Sequence, residues 1–258
     1  MPESAPTAVP PLFYKEPVAI NAEHHRDLTV SPSPTGYAFA AEAHNVMLTA
    51  VEFFEACREY PIIFSPTEDG KITPLALLGI QAGENLFVDA EGAWKATYIP
   101  AYVRRYPFIL ADTGAAEFPV CVDQTFDGLN IDGGQRLFTE EGEQTDYCRH
   151  IQAFIQDYQG QPVSTAAFTA KLRELELFRP MDANIQLNNG TQFQLQGFLI
   201  VDENSLARLG DVAVLDLFRR GYLGLIYVHL ASVKNLARLI DLKAERQEIC
   251  CYKAALSS

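Results

Sequence analysis

The sequence predicts an α+β fold: a single domain with an antiparallel or mixed sheet flanked by helices. Three observations predict it. Strand-like and helix-like segments alternate without a steady βαβ rhythm. Hairpin signals recur, the clearest being Asn189-Gly190 between two apolar stretches. Two helix-to-strand corners also share one wording, "FEACREYPIIFSP" from Phe54 to Pro66 and "PAYVRRYPFILAD" from Pro100 to Asp112. Two lobes dividing within residues 113–145 are the alternative arrangement.

Taking the elements in order, residues 1–11 are rich in Pro and Ala and read as a disordered lead-in. From Leu12 to Ala40 short apolar runs mix with Pro and Gly, and alternation in "LTV" and "YAFA" predicts short strands. "LTAVEFFEACREY" predicts the first clear helix. Thr49 and Glu52 form a capping box, and Ala50, Phe53, Phe54 and Cys57 share one face at helical spacing. Arg58 complements the carbonyl end, and Pro61 stops the helix before the strand "IIF". "ITPLALLGI" predicts a strand that Pro74 places at an edge or makes start late. "NLFVDAEGAWKATYI" predicts two short strands about a turn at Asp89–Gly92.

The second corner repeats the device. Pro100 suits a first helical turn, Arg104 and Arg105 fall in the last, Pro107 breaks the helix and "FIL" resumes as strand. "LDLFRRGYLGLIYVHL" reads as a looser third copy, with Gly221 as a left-handed cap before a strand. Residues 111–146 are acidic and Gly-rich and read as loop or flap with one strand at "FPVCV". Two helices follow, Thr145–Gln159 and one from Ser164 to Glu176; then the Asn-Gly hairpin from Met181 to Asp202. Asp202, Asp211 and Ser232 read as caps of three further helices, the last being "VKNLARLIDLKAER". The domain is read as residues 12–246, with 247–258 as a frayed tail.

The totals exclude several function classes. A formal net charge of −13 with pI about 4.8 opposes nucleic-acid binding, which needs concentrated Lys and Arg, and opposes docking on anionic lipid. No apolar run approaches the ~18 uninterrupted residues of a membrane helix, so no membrane insertion is expected; the best, "YLGLIYVHLA", carries His229. The N-terminus has neither a basic nor an apolar leader region, so the sequence reads as cytoplasmic. Five cysteines at 57, 121, 148, 250 and 251, without a CxxC, read as reduced thiols.

Candidate chemistry is sparse. Arg104, Arg105 and Tyr106 suit a carboxylate or phosphate through forked hydrogen bonds, and equally suit a helix end. Asp123 follows a strand, where sites place carboxylates. His229 lies in an apolar run and reads as a satisfied core histidine or as a site residue. His24, His25 and His44 lack metal-ligand spacing, so no metal is expected. No GxGxxG, GxxxxGK[ST] or GxSxG occurs, and no cofactor is expected.

The motifs "LFYKEPVAIN", "HRDL" from His25, "EFFEACREYPIIF", "LLGIQAGENLFVDAEGAWKATYIPAYVRRYPFIL", "GFLIVDENSL" and "GYLGLIYVHLASVKNLARL" together resemble the bacterial SapC family. The resemblance runs from about Leu12 to about Leu242. It implies a link to a surface-layer locus, hence a cell-surface association, or an accessory part in uptake or peptide modification. It supplies no catalytic residues. The peptide-transport permease of the same name is a different protein, since this chain is not expected to span a membrane.

Two functions follow. The first is an accessory protein, leaning away from an enzyme, that contacts a protein partner through a surface apolar patch. The second is a small-molecule or peptide binder, or an enzyme of unrecognised type, whose pocket would gather Arg104, Arg105, Tyr106, Asp123 and His229.

Overall fold

The structure, a computed structural model, describes residues 11–111, 119–186 and 190–256. It is α+β, as the sequence predicts, and the strand pairings are antiparallel among the described residues. In chain order the elements are β1 (Pro17–Ala19), β2 (Thr29–Val30), β3 (Asn45–Met47), α1 (Phe53–Ala56), β4 (Ile62–Pro66) and β5 (Ile72–Leu77). Then come α2 (Ala101–Arg104), β6 (Phe108–Leu110), β7 (Val120–Asp123), β8 (Gln135–Arg136) and α3 (Asp146–Glu174). The chain ends with β9 (Phe178–Gln186), β10 (Gln192–Val201), α4 (Glu203–Ala207), α5 (Asp211–Arg219), α6 (Tyr222–Ser232) and α7 (Leu236–Leu256). The chain divides into two compact units, with breaks after Phe39, Arg104 and Gln159.

The first unit takes the segment up to Phe39 and Arg105–Gln159. Its three-stranded sheet has the order β1-β7-β6, and β2 pairs with β8. Val122, Phe108, Phe126, Leu137 and Ile155 form its core. The described part of the expected flap is thus built inward rather than held out as loop. Gly128 shows how tightly: a Cβ there would lie 2.4 Å from the Ser31 carbonyl oxygen and 2.5 Å from the Phe126 ring. "YAFA" forms a 3-10 turn, Ala38–Ala40, and not a strand.

The second unit takes Ala40–Arg104 and the chain from Gly160 onward. Its five-stranded sheet has the order β3-β5-β4-β10-β9. Phe64 sits among Phe53, Phe168 and Phe178, with ring centroids 6.3, 6.5 and 5.0 Å away. β5 is an internal strand, but Pro74 lies just beyond the stretch that pairs with β3, where its missing N–H removes no bond from that pairing. The Asp89–Gly92 turn forms, with one bridge, Val88 to Trp94, in place of two strands. The hairpin β9–β10 forms, Gln192 pairing with Gln186 and Val201 with Phe178, though its Asn189 turn residue lies outside the described residues.

Three expectations are corrected. The two helices expected between Thr145 and Glu176 are one helix, α3, running through Pro162. Ser164 is interior to it and donates to the Gln161 carbonyl. The expected break at Gln159 instead coincides with a boundary between units. The stretch after Gly221 is helix α6 and not a strand, although Gly221 does adopt the left-handed conformation at φ 74°. Its apolar residues surround the helix on all sides, so no period distinguishes helix from strand. Gly210, one residue before Asp211, occupies the N-cap of α5. By length and composition alone the helical stretch Tyr222–Gln247 is long and apolar enough to cross a membrane. Here it buries Ile226, His229, Ser232 and Leu239.

Candidate functional site

The first corner is braced by one carboxylate. Thr49 and Glu52 make the expected capping box, and Glu52 is buried. One Glu52 oxygen accepts the Thr49 N–H at 2.8 Å and the Thr49 hydroxyl at 2.9 Å. The other accepts the Tyr98 hydroxyl at 2.8 Å and the Ala101 N–H at 2.7 Å, so it also secures the start of α2. Tyr60 is fully buried; its hydroxyl donates to the Tyr98 carbonyl and accepts the Trp94 Nε1–H at 2.9 Å. Burial pushes this phenol well up from its ordinary value.

The second corner lies across a boundary between units, which falls between Arg104 and Arg105. In the second unit, Arg104 is exposed, donates to the Ile99 carbonyl at 2.9 Å and lies over the Tyr98 ring at 5.7 Å. In the first unit, Arg105 is half-buried, over Tyr158 at 5.0 Å and Tyr14 at 5.7 Å. Tyr106 meets Phe39 at 4.4 Å, Tyr14 at 5.3 Å and Phe126 at 5.5 Å. Burial, and then the nearby Asp123 charge, raise its phenol to about 12.

Asp123 ends β7 with no exposed surface. Its oxygens accept the amides of Lys15 at 2.7 Å, Glu16 at 3.2 Å and Thr125 at 2.9 Å, and the Thr125 hydroxyl at 2.8 Å. Burial opposes the charge, but these donors outweigh it and hold the carboxyl below its ordinary value. Its position after a strand concealed this structural task, because two of the donors come from residues more than 100 positions away.

His229 belongs to the core of the second unit. β4 and β10 pair in register only at Phe64 and Leu199. Beyond that pair the His229 ring stands between the strands. Its Nε2 accepts the Val201 N–H at 3.0 Å, so Nδ1 carries the proton and donates to the Ile62 carbonyl at 3.0 Å. Ser232, three residues on, accepts the Ile62 N–H at 3.0 Å. Desolvation pushes the imidazole down to about 4. The five candidates therefore divide: in the first unit Arg105 and Tyr106 lie against Tyr14 while Asp123 binds the next two amides, Lys15 and Glu16, and in the second unit Arg104 and His229 occupy separate surroundings.

An apolar face of the second unit was missed in the sequence. The chain over Ala50–Glu52 is 3-10 helix, so Ala50, Phe53 and Ala56 turn inward at a spacing of three. Val51 and Phe54 keep the same spacing on the outside. Phe54, expected in the core, is 57% exposed. α6 packs against both α1 and α5, and the Phe54 ring lies over Gly224, whose added Cβ would meet it at 3.6 Å. On α5, Leu215 and Phe218 are exposed, Phe218 by 68%; on α6, Tyr227 is exposed by 58%. Only the switch from a period of 3.6 to 3 would have revealed this face, and nothing in the composition marks that switch. Among the described residues no group of three or more His, Cys, Asp or Glu side chains could hold a metal ion.

Neither a curated protein nor a solved structure matches the chain. A model of the SapC family matches residues 20–239, which covers both corners, the hairpin and the helices that carry the apolar face. With that span of its length matched, the chain belongs to the SapC family.

Proposed function

We propose that this chain is an accessory protein, without an enzymatic role, that serves bacterial surface-layer, envelope or uptake processes by docking a protein partner. The docking surface is the face made by α1, α5 and α6. The observation that carries the proposal is the set of aromatic and aliphatic side chains left in solvent there: Val51, Phe54, Leu215, Phe218 and Tyr227. With about half of each side chain still in solvent, each forgoes roughly 1 kcal/mol of burial, which a partner would recover. The surface-layer setting is what the family name implies.

The surrounding charges define the partner's chemistry. Exposed cations follow each exposed stretch: Arg58 four residues after Phe54, Arg219 one turn after Leu215 on α5, and Lys234 just beyond the end of α6. Arg58 shares its charge with Glu55 at 3.4 Å, a weak exposed pair. The partner is thus an apolar segment bordered by acidic residues.

The test is photo-crosslinking in cells, with a photoreactive phenylalanine analogue at position 54, 218 or 227, and at the exposed Val163 on α3 as the comparison site. The proposal predicts one shared adduct from positions 54, 218 and 227 that position 163 does not give. Identical products from all four positions, or an adduct only with a second copy of the chain, would overturn it.

A further inference from the structure

The first unit contains a cleft of about 690 Å³ that neither the corners nor the apolar face uses. One wall is the turn from Glu23 to Leu28; the floor is Phe126 and Leu129, with Gln124 and Asn130 also lining the cleft. We propose that this cleft binds a small molecule bearing a carboxylate on an apolar body.

The wall is a fixed device. The Asn21 side chain accepts the His24 N–H at 2.8 Å, the His25 N–H bonds the Asn21 carbonyl at 3.0 Å, and the Leu28 N–H bonds the His25 carbonyl at 3.1 Å. The Asn21 N–H donates to His25 Nδ1 at 3.2 Å. The neutral His25 ring must then carry its proton on Nε2, where it is a donor. Arg26 has no carboxylate partner among the described residues, because the adjacent Asp27 is taken by Arg136 at 2.6 Å. Consecutive residues of the cleft wall thus carry an imidazole N–H and, beside Gly142, a guanidinium with no carboxylate partner among the described residues, donors that suit a planar carboxylate.

The floor sets the other half of the ligand. Leu129 is half-buried, Phe126 keeps 9% of its surface with its ring held edge-on by Tyr106 at 5.5 Å, and the fully buried Val122 of the central strand in the β1-β7-β6 sheet supports them. A rigid apolar base beneath a few polar groups is the usual build of a small-molecule site, and the volume falls in the usual range. Glu23, also on the wall, opposes a multiply charged anion and so favours a single carboxylate over a phosphate.

The test uses phenylpropionate as probe, with phenylpropylamine, phenylpropanol and inorganic phosphate as controls, read from the five histidine ring signals by NMR. Phenylpropionate should shift the His24 and His25 signals saturably in the millimolar range while His229 stays fixed, which also reports that the fold is intact. Arg26→Gln should weaken binding about tenfold or more, and Glu23→Gln should tighten it. Equal shifts from the amine or the alcohol, no saturable shift with phenylpropionate, or an unchanged affinity in Arg26→Gln would overturn the proposal.

Discussion

At the first corner the chain leaves α1, passes Tyr60-Pro61 and enters β4, the central strand of a five-stranded sheet. At the second it leaves α2, passes Tyr106-Pro107, a cis bond, and enters β6, an edge strand of a three-stranded sheet. Tyr60 is sealed in the core with its hydroxyl bonded on two sides; Tyr106 is half-buried among aromatic rings. Each corner has a buried carboxylate with four donors, but Glu52 draws donors from both helix starts of its own unit, whereas Asp123 draws them from β1's approach and its own turn. The shared words encode a backbone manoeuvre, helix stop and strand start. How deeply the corner is buried depends on which strand it feeds.

Glu52→Ala should separate the two corners most. It strands the Thr49, Tyr98 and Ala101 donors inside the second unit and should cost about 3–5 kcal/mol, measured by urea unfolding. Asp123→Ala strands amides nearer the unit's rim and should cost less, about 2 kcal/mol. Equal losses would mean that the second corner is as central to its unit as the first.

Next comes pH. His229 fastens Ile62, the first residue after Pro61, and its folded value of about 4 lies below the ordinary 6.5. Between those values the unfolded chain binds a proton that the folded chain does not. The stability contributed by neutral His229 is therefore full above pH 6.5 and is lost as pH falls toward 4, by roughly 3 kcal/mol. The check is urea unfolding at pH 7 and pH 4.5 for the native chain and for His229→Gln. The variant should lose less stability between the two; parallel losses would show that His229 does not set the acid limit of the first corner.

Much of this was legible because it is local. Pro61 and Pro107 end helices by sterics within a few residues, Glu52 lies three residues from Thr49, Asp202 caps α4 through the Asn204 N–H, and Gly221 takes the left-handed turn. What was not legible depends on distant partners. His229 reads as strand until the gap between β4 and β10 is known, and Asp123 lacks a task until Lys15 and Glu16 are beside it. Phe54 reads as core because α-helical spacing puts it near Ala50, whereas the 3-10 turn over Ala50–Glu52 rotates it outward.

On the proposed docking role, the outer side chains of α1 and α5 serve a partner and not the fold. The direct measurement is the unfolding free energy of Phe54→Ser/Phe218→Ser against the native chain. Side chains more than half in solvent predict a loss of about 1 kcal/mol or less. A loss beyond about 2 kcal/mol would mean that they are packed in the folded protein, and the docking face would not exist.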